Sequence, residues 1–86
     1  MPEEAVVGSY KWIEEGEDPG VITLLPNHTF LPPKGRQTQY HRWEMGREAL
    51  LVIFAARLQR FTNTESPGVY ISFTADGRKV RMEKEP

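Results

Sequence analysis

Hydrophobic and polar positions alternate along much of this chain, and glycine or proline interrupts the alternation at short intervals. In residues 8–13, Tyr10 and Trp12 fall on one face and polar residues fall on the other, as in a half-buried strand. Near the C-terminus, Val80 and Met82 alternate with charged residues in the same way. This period of two predicts β-strands.

Turn-forming residues separate these alternating segments. Residues 26–29, 66–68 and 75–77 carry the proline, asparagine, aspartate and glycine that tight hairpin turns favour. We therefore predict eight short antiparallel strands, over residues 8–13, 21–25, 29–31, 38–45, 49–55, 57–62, 69–74 and 78–83. Sequential hairpins of this kind curl into an up-and-down barrel, so the predicted fold is all-β, with one barrel domain over residues 1–86.

The apolar run at residues 49–56 allows a second interpretation. Five apolar side chains in this run and shortly after it also share one face at helical spacing: Leu50, Ile53, Phe54, Leu58 and Phe61. This spacing leaves open an α+β fold with one central helix at residues 48–60. We favour strands because the segments on both sides predict hairpins, and a period alone does not decide a short apolar run.

The strand interpretation has a consequence for assembly. If the alternate residues Leu50, Val52 and Phe54 face the core, three apolar side chains of the same strand point outward: Leu51, Ile53 and Ala55. Three outward apolar side chains in succession are more than the scattered apolar residues of an ordinary surface. We therefore expect a two-fold homodimer centred on this strand, with Leu24 at its rim. The alternative is that residues 5–7 or the loop at 32–33 cover this face within one chain.

Composition limits the cellular context and the means of stabilisation. The chain has 86 residues, no cysteine and a formal net charge of −1, so disulfides and thiolate metal sites are excluded. The N-terminus is acidic and lacks a signal peptide, and the longest apolar run is too short to span a membrane. We expect a cytoplasmic protein without membrane association.

Charge is unevenly distributed, and most of the charged residues near the N-terminus are acidic. The segment after the first predicted strand contains four acids: Glu14, Glu15, Glu17 and Asp18. These form either a solvated loop or a loop that folds over a basic face of the same domain.

No group of residues indicates catalysis. His28 and His41 are far apart in sequence and have no cysteine with which to bind a metal, and the serines lie in no nucleophile motif. We therefore predict no enzyme activity, no metal and no cofactor.

One set of basic residues is interleaved with aromatic residues, namely Arg42, Arg57 and Arg60. Such a set is typical of surfaces that stack bases and neutralise phosphates, which gives a nucleic-acid-binding alternative. The structural alternative is that the aromatic residues belong to the core and the arginines are outward positions of strands. The near-neutral charge of the chain makes nucleic acid the less favoured partner.

The segment Gly8-x-Tyr10-x-Trp12 and Arg81 on the last predicted strand resemble the first and last strands of the calycin group, the lipocalin-like barrels. The resemblance implies an eight-stranded meander barrel in which Arg81 packs over the tryptophan. It also implies an apolar ligand in the barrel mouth, bounded in this chain by Tyr10, Trp12, Trp43 and Phe61. We therefore predict a non-enzymatic binding or assembly module whose partner is a small apolar ligand or another protein.

Overall fold

The named elements of the computed structural model, which describes residues 5–33, 41–55 and 57–86, are all β-strands. They are β1 (Gly8–Glu14), β2 (Gly20–Leu24), β3 (Phe30–Leu31), β4 (His41–Met45), β5 (Leu50–Phe54), β6 (Arg57–Asn63), β7 (Val69–Phe73) and β8 (Lys79–Lys84). The all-β prediction is confirmed, and the apolar run forms β5 and leads into β6 instead of a central helix. The predicted start of β4 at residues 38–40 lies outside the described residues.

The strands form one antiparallel meander that curls on itself. Each strand pairs with its neighbour in sequence except at β3 and β4, and β1 also pairs with β8, giving the order β3-β2-β1-β8-β7-β6-β5-β4. The register of β1 and β8 places Trp12 opposite Met82 and joins the first three strands to the last five. The ends of this order, β3 and β4, meet to make a nearly closed barrel.

A turn between β2 and β3 bridges the seam where β3 and β4 meet. His28 adopts a left-handed backbone with φ of 67°, and its carbonyl accepts a hydrogen bond from the Trp43 amide at 2.8 Å. The Trp43 indole Nε1 donates to the Leu25 carbonyl at 2.8 Å, and the rings of His28 and Trp43 stack with centroids 4.5 Å apart. A bridge between Thr29 and Arg42 completes the seam. The turn thus replaces part of a strand ladder.

Side chains at alternate positions of each strand fill the barrel interior. The Trp12 ring meets Phe61 and Phe54 edge to face, with centroids 5.6 Å and 5.9 Å apart. Burial of each large apolar side chain contributes about 1.5–3 kcal/mol, which stabilises a chain without disulfides. The predicted inward residues are confirmed among the core residues Tyr10, Trp12, Ile22, Leu24, Phe30, Trp43, Leu50, Val52, Phe54, Phe61, Tyr70, Val80 and Met82.

Two expectations about individual side chains are wrong. Leu24 is fully buried in the core and does not lie at the rim of an outer surface, because it occupies an inward position of β2. Arg81 does not pack over Trp12, because the residue opposite Trp12 is Met82 and Arg81 is one residue out of phase with the inward face. Its Nε donates instead to Glu83 Oε2 at 2.7 Å on the outside of the barrel.

The N-terminal segment packs into one end of the barrel. Val6 is fully buried, and its carbonyl accepts a hydrogen bond from the Tyr10 hydroxyl at 2.6 Å. The ring of Tyr70 lies edge-on to Tyr10 with centroids 6.0 Å apart. Burial raises the pKa of Tyr10, and Tyr70 raises it further; burial also raises the pKa of Tyr70. Both hydroxyls therefore stay neutral in the folded chain under alkaline conditions in which an unfolded tyrosine ionises.

Replacing Tyr10 with Phe tests the alkaline consequence of this burial. Because the folded pKa is raised, the tyrosine contributes stability that is complete below about pH 10 and is lost as pH rises further. We expect Tyr10→Phe to cost about 1 kcal/mol at neutral pH, through loss of the hydrogen bond to Val6, and to lose stability less steeply above about pH 10. Urea unfolding across this pH range measures both effects.

The control is Val52→Ala, which removes core methyl groups but keeps both tyrosines. It should cost about 1–3 kcal/mol at neutral pH and retain the alkaline slope of the natural chain. If Tyr10→Phe and Val52→Ala showed the same slope, ionisation of Tyr10 would not be the cause.

Candidate functional site

The four aromatic residues predicted to bound a ligand all lie in the barrel interior. Tyr10, Trp12, Trp43 and Phe61 are each at most 1% exposed. All four belong to one cluster of core residues, which fills the space between the strands. Their role in binding an apolar ligand stays a prediction, and such a ligand would have to displace packed side chains.

The three arginines of the nucleic-acid alternative differ in their surroundings. Arg42 is on the outer face, where its Nε donates to Glu44 Oε1 at 2.6 Å. Arg57 is partly buried and contacts Glu14 at the barrel end, whereas Arg60 is exposed on β6. Two of the three charges are therefore already balanced by carboxylates within the chain, and the nucleic-acid role stays a prediction.

A buried carboxylate marks the end of the barrel opposite the N-terminal segment. Glu14 continues the inward face of β1 after Tyr10 and Trp12 and is only 1% exposed. Its Oε1 accepts from Trp12 Nε1 and from Arg57 Nη2, both at 3.3 Å, and its Oε2 lies 3.1 Å from Arg78 Nη1. Two guanidinium groups thus offset the cost of burying this charge.

The network continues across the barrel from Arg57. Its Nε donates to Gln59 Oε1 at 2.7 Å, and Gln59 Nε2 donates to Ser72 Oγ at 2.7 Å and to the Phe73 carbonyl at 3.2 Å. Gln59 and Ser72 are buried like Glu14. We call the set Glu14, Arg57, Gln59, Ser72 and Arg78 the polar layer, since it closes one end of the apolar interior.

The turn between β7 and β8 holds Arg78 against this layer. The Thr74 hydroxyl donates to Asp76, and the Arg78 Nε donates to Asp76 Oδ2 at 3.0 Å. These two hydrogen bonds, that of Thr74 foremost, lower the pKa of Asp76. Arg78 Nη1 also donates to the Glu15 carbonyl at 3.3 Å, so the turn is tied to the loop after β1.

Both alternatives for the acidic segment therefore hold in part. Glu14 folds against the basic groups of the polar layer, whereas Glu15, Glu17 and Asp18 are exposed.

An open groove of about 590 Å³ lies over the polar layer on the outer surface. Leu58 and Phe73 form its apolar walls and are 59% and 62% exposed. Arg57, Asp76 and Arg78 supply charged groups beside them. Exposed apolar residues next to charges that are fixed by hydrogen bonds are the composition expected of a protein-binding surface.

Of the residues predicted to form a dimer interface, Leu51 and Ile53 lie on the outer face of β5, and Ala55 lies in the turn that follows it. Leu51 and Ile53 are partly exposed and Ala55 is exposed, whereas the alternate residues of β5 are buried. Their part in a dimer stays a prediction.

The two histidines have structural surroundings. His28 stacks on Trp43 at the seam, and the ring of His41 meets Phe30 edge-on at 5.9 Å. Within residues 5–33, 41–55 and 57–86, no three groups suited to a metal ion come together. In the same residues, no helix is long and apolar enough to cross a membrane.

Sequence reasoning missed the polar layer, although the alternating pattern carries a signal for it. Glu14 follows Tyr10 and Trp12 at intervals of two, and Gln59 precedes Phe61 by two. Extending the inward face by one step on each strand places both polar side chains inside. What the pattern does not show is which polar groups meet.

The fold and the filled interior define a class: a small all-β protein built as a nearly closed, eight-stranded antiparallel barrel. No protein-family model matches the chain. No curated protein matches it either. Among solved structures, it is similar to the crystal structure of a psychrophilic marine protease MP inhibitor, with a TM-score of 0.77 at 18% identity. The similarity covers 99% of this chain and 100% of that chain, and it establishes the fold.

Replacing Glu14 with Gln tests the contribution of the polar layer to stability. The variant keeps the shape of the side chain but removes the charge that faces Arg57 and Arg78. We expect the free energy of unfolding to fall by about 1–3 kcal/mol, measured by urea unfolding at neutral pH. The control, Glu65→Gln in an exposed turn, should stay within about 0.5 kcal/mol of the natural chain. Equal effects of the two substitutions would contradict a stabilising role for the layer.

Proposed function

We propose that this chain is a non-enzymatic protein-binding module that inhibits a protease, with the groove over the polar layer as its contact surface. The observation that supports a protease as partner is the whole-length similarity to the psychrophilic marine protease MP inhibitor.

The filled interior favours recognition on the outside of the barrel. Large aromatic side chains occupy the space that a ligand would need, so the interior contributes stability first. On the outside, Phe73 and Leu58 present apolar area at the groove, and burying both against a partner would be favourable. Aromatic anchors next to arginines are the residues that contribute most at protein interfaces.

The polar layer supports this function by fixing the groove before a partner arrives. Arg57 is held by Glu14 and Gln59, and Arg78 is held by Glu14 and Asp76. A surface whose side chains are already ordered loses less conformational entropy on binding, which favours tight complexes.

The same contacts support a binding role over a catalytic one. Ser72 is the serine of the polar layer, and its hydroxyl is buried and accepts a hydrogen bond from the Gln59 amide. An amide does not act as a general base for a hydroxyl nucleophile, so this pair lacks the chemistry of a catalytic serine.

The experiment is an inhibition assay against purified proteases of the serine, cysteine, aspartic and metallo classes, with quenched fluorescent peptide substrates. We expect one class to be inhibited at micromolar concentration or below. Phe73→Asp should weaken that inhibition at least about tenfold, because it places a charge where an apolar contact is buried. Val21→Asp is the matched control, since Val21 is also exposed and apolar but lies on β2, away from the groove.

Inhibition of none of the four classes would overturn the protease partner, and equal inhibition by the natural chain and Phe73→Asp would overturn the site. Two tryptophan-fluorescence titrations cover the other partners. Binding of an apolar dye would favour the interior ligand of the calycin resemblance. Binding of a single-stranded oligonucleotide that weakens with salt would favour the surface of Arg42, Arg57 and Arg60.

A further inference from the structure

The outer face of β4, β5 and β6 carries an apolar centre between charged edges. The strand registers align Arg42 with Ile53 and Ile53 with Leu58 in one row across the sheet. They align Glu44 with Leu51 and Leu51 with Arg60 in the next row on the same face. We call these six residues the β5 face.

The apolar part of the β5 face is accessible. Leu58 is 59% exposed, and Leu51 and Ile53 are partly exposed. Among the described residues, the two segments that could cover this face within one chain, residues 5–7 and 32–33, pack elsewhere. Val6 and Val7 pack with the core, and Pro33 lies against Gly20 on β2, where its Cβ is 3.0 Å from the position of an added Cβ.

We propose that a second copy of this chain covers the β5 face through a two-fold symmetric contact. In a two-fold contact each copy offers the same surface, so the surface must be complementary to itself. The apolar centre meets this condition. Whether the two-fold axis runs along β5 or across the strands, Leu51 and Ile53 of one copy face Leu51 and Ile53 of the other.

The charges of the β5 face also complement themselves. If the two-fold axis runs along β5, each row of one copy faces the same row of the partner, and β4 of one copy faces β6 of the partner. Glu44 therefore faces the partner's Arg60. If the axis runs across the strands, β4 of one copy faces β4 of the partner, and each row faces the other row of the partner. Glu44 therefore faces the partner's Arg42. In both orientations the arginine that Glu44 does not meet faces Leu58, and no like charges oppose each other. Opposite charges at the edge of an apolar centre fix the register of a contact.

The face is narrow, since three strands spaced about 4.8 Å apart form it. Contacts smaller than the usual stable interface are weak or transient. We therefore expect association in the micromolar range. Leu58 belongs to both surfaces, whereas Phe73 and the turn carrying Arg78 lie outside the β5 face. Phe73→Asp therefore tests the protease contact alone, and the charge exchange at Glu44 tests the dimer alone.

Sedimentation equilibrium from low to high micromolar concentration tests the proposal. We expect a reversible equilibrium between the 9.9 kDa monomer and a dimer. Leu51→Glu and Ile53→Asp should each give monomer throughout the range with the circular dichroism spectrum of the natural chain. Val21→Glu, an exposed apolar position on β2, should dimerise like the natural chain. Monomer at all concentrations for the natural chain, or equal dissociation by Val21→Glu, would overturn the proposal.

Charge exchange distinguishes the two orientations and does not rely on core-adjacent substitutions. Glu44→Lys places a lysine opposite an arginine in either orientation and should weaken association at least about tenfold. Adding Arg60→Glu should restore it if the axis runs along β5, and adding Arg42→Glu should restore it if the axis runs across the strands. If Glu44→Lys left association unchanged, or if neither second substitution restored it, the proposed contact would be wrong.

Discussion

The pairing of β1 with β8 is the constraint on which the rest of the barrel depends. Hairpins between neighbouring strands form from contacts close in sequence, but β1 and β8 lie at opposite ends of the chain. Without this pairing, the first three strands and the last five would be two open sheets with exposed edges. The seam between β3 and β4 is weaker, because β3 has only two residues. Hydrogen bonds from Trp43 of β4 to the turn before β3 supply much of the contact.

The same pairing positions the polar layer. Glu14 is the last residue of β1 and lies opposite Val80 of β8, so barrel closure brings its carboxylate to Arg57 and Arg78. A buried carboxylate is costly unless charged partners and hydrogen bonds surround it. Placing the layer at the barrel end lets the arginines keep part of their solvent contact while the charge between them stays dry. Stability and the shape of the groove therefore have a common origin.

A filled interior changes which surfaces can recognise a partner. The interior of an eight-stranded barrel is just wide enough for side chains to fill, and a filled interior supports the outside recognition that we propose for this chain. Apolar side chains on the outside include those beside Phe73 at the groove and those around Ile53 on the β5 face. Leu58 lies between them, on the strand that borders both.

The sequence alone determined the strands, their order along the chain and the inward face of β5, because a period of two with turn residues between segments leaves few alternatives. It placed Tyr10 and Trp12 correctly on one face. Tertiary structure alone decided the partners of polar side chains, since these depend on which strands meet around the barrel. The calycin resemblance places Arg81 inward, but it lies outside; the run of acids places Glu14 in a loop, but it lies buried at the end of β1 between two arginines. The groove could not be foreseen, because its walls come from β6 and the end of β7, and only the curvature of the closed sheet brings them to one surface.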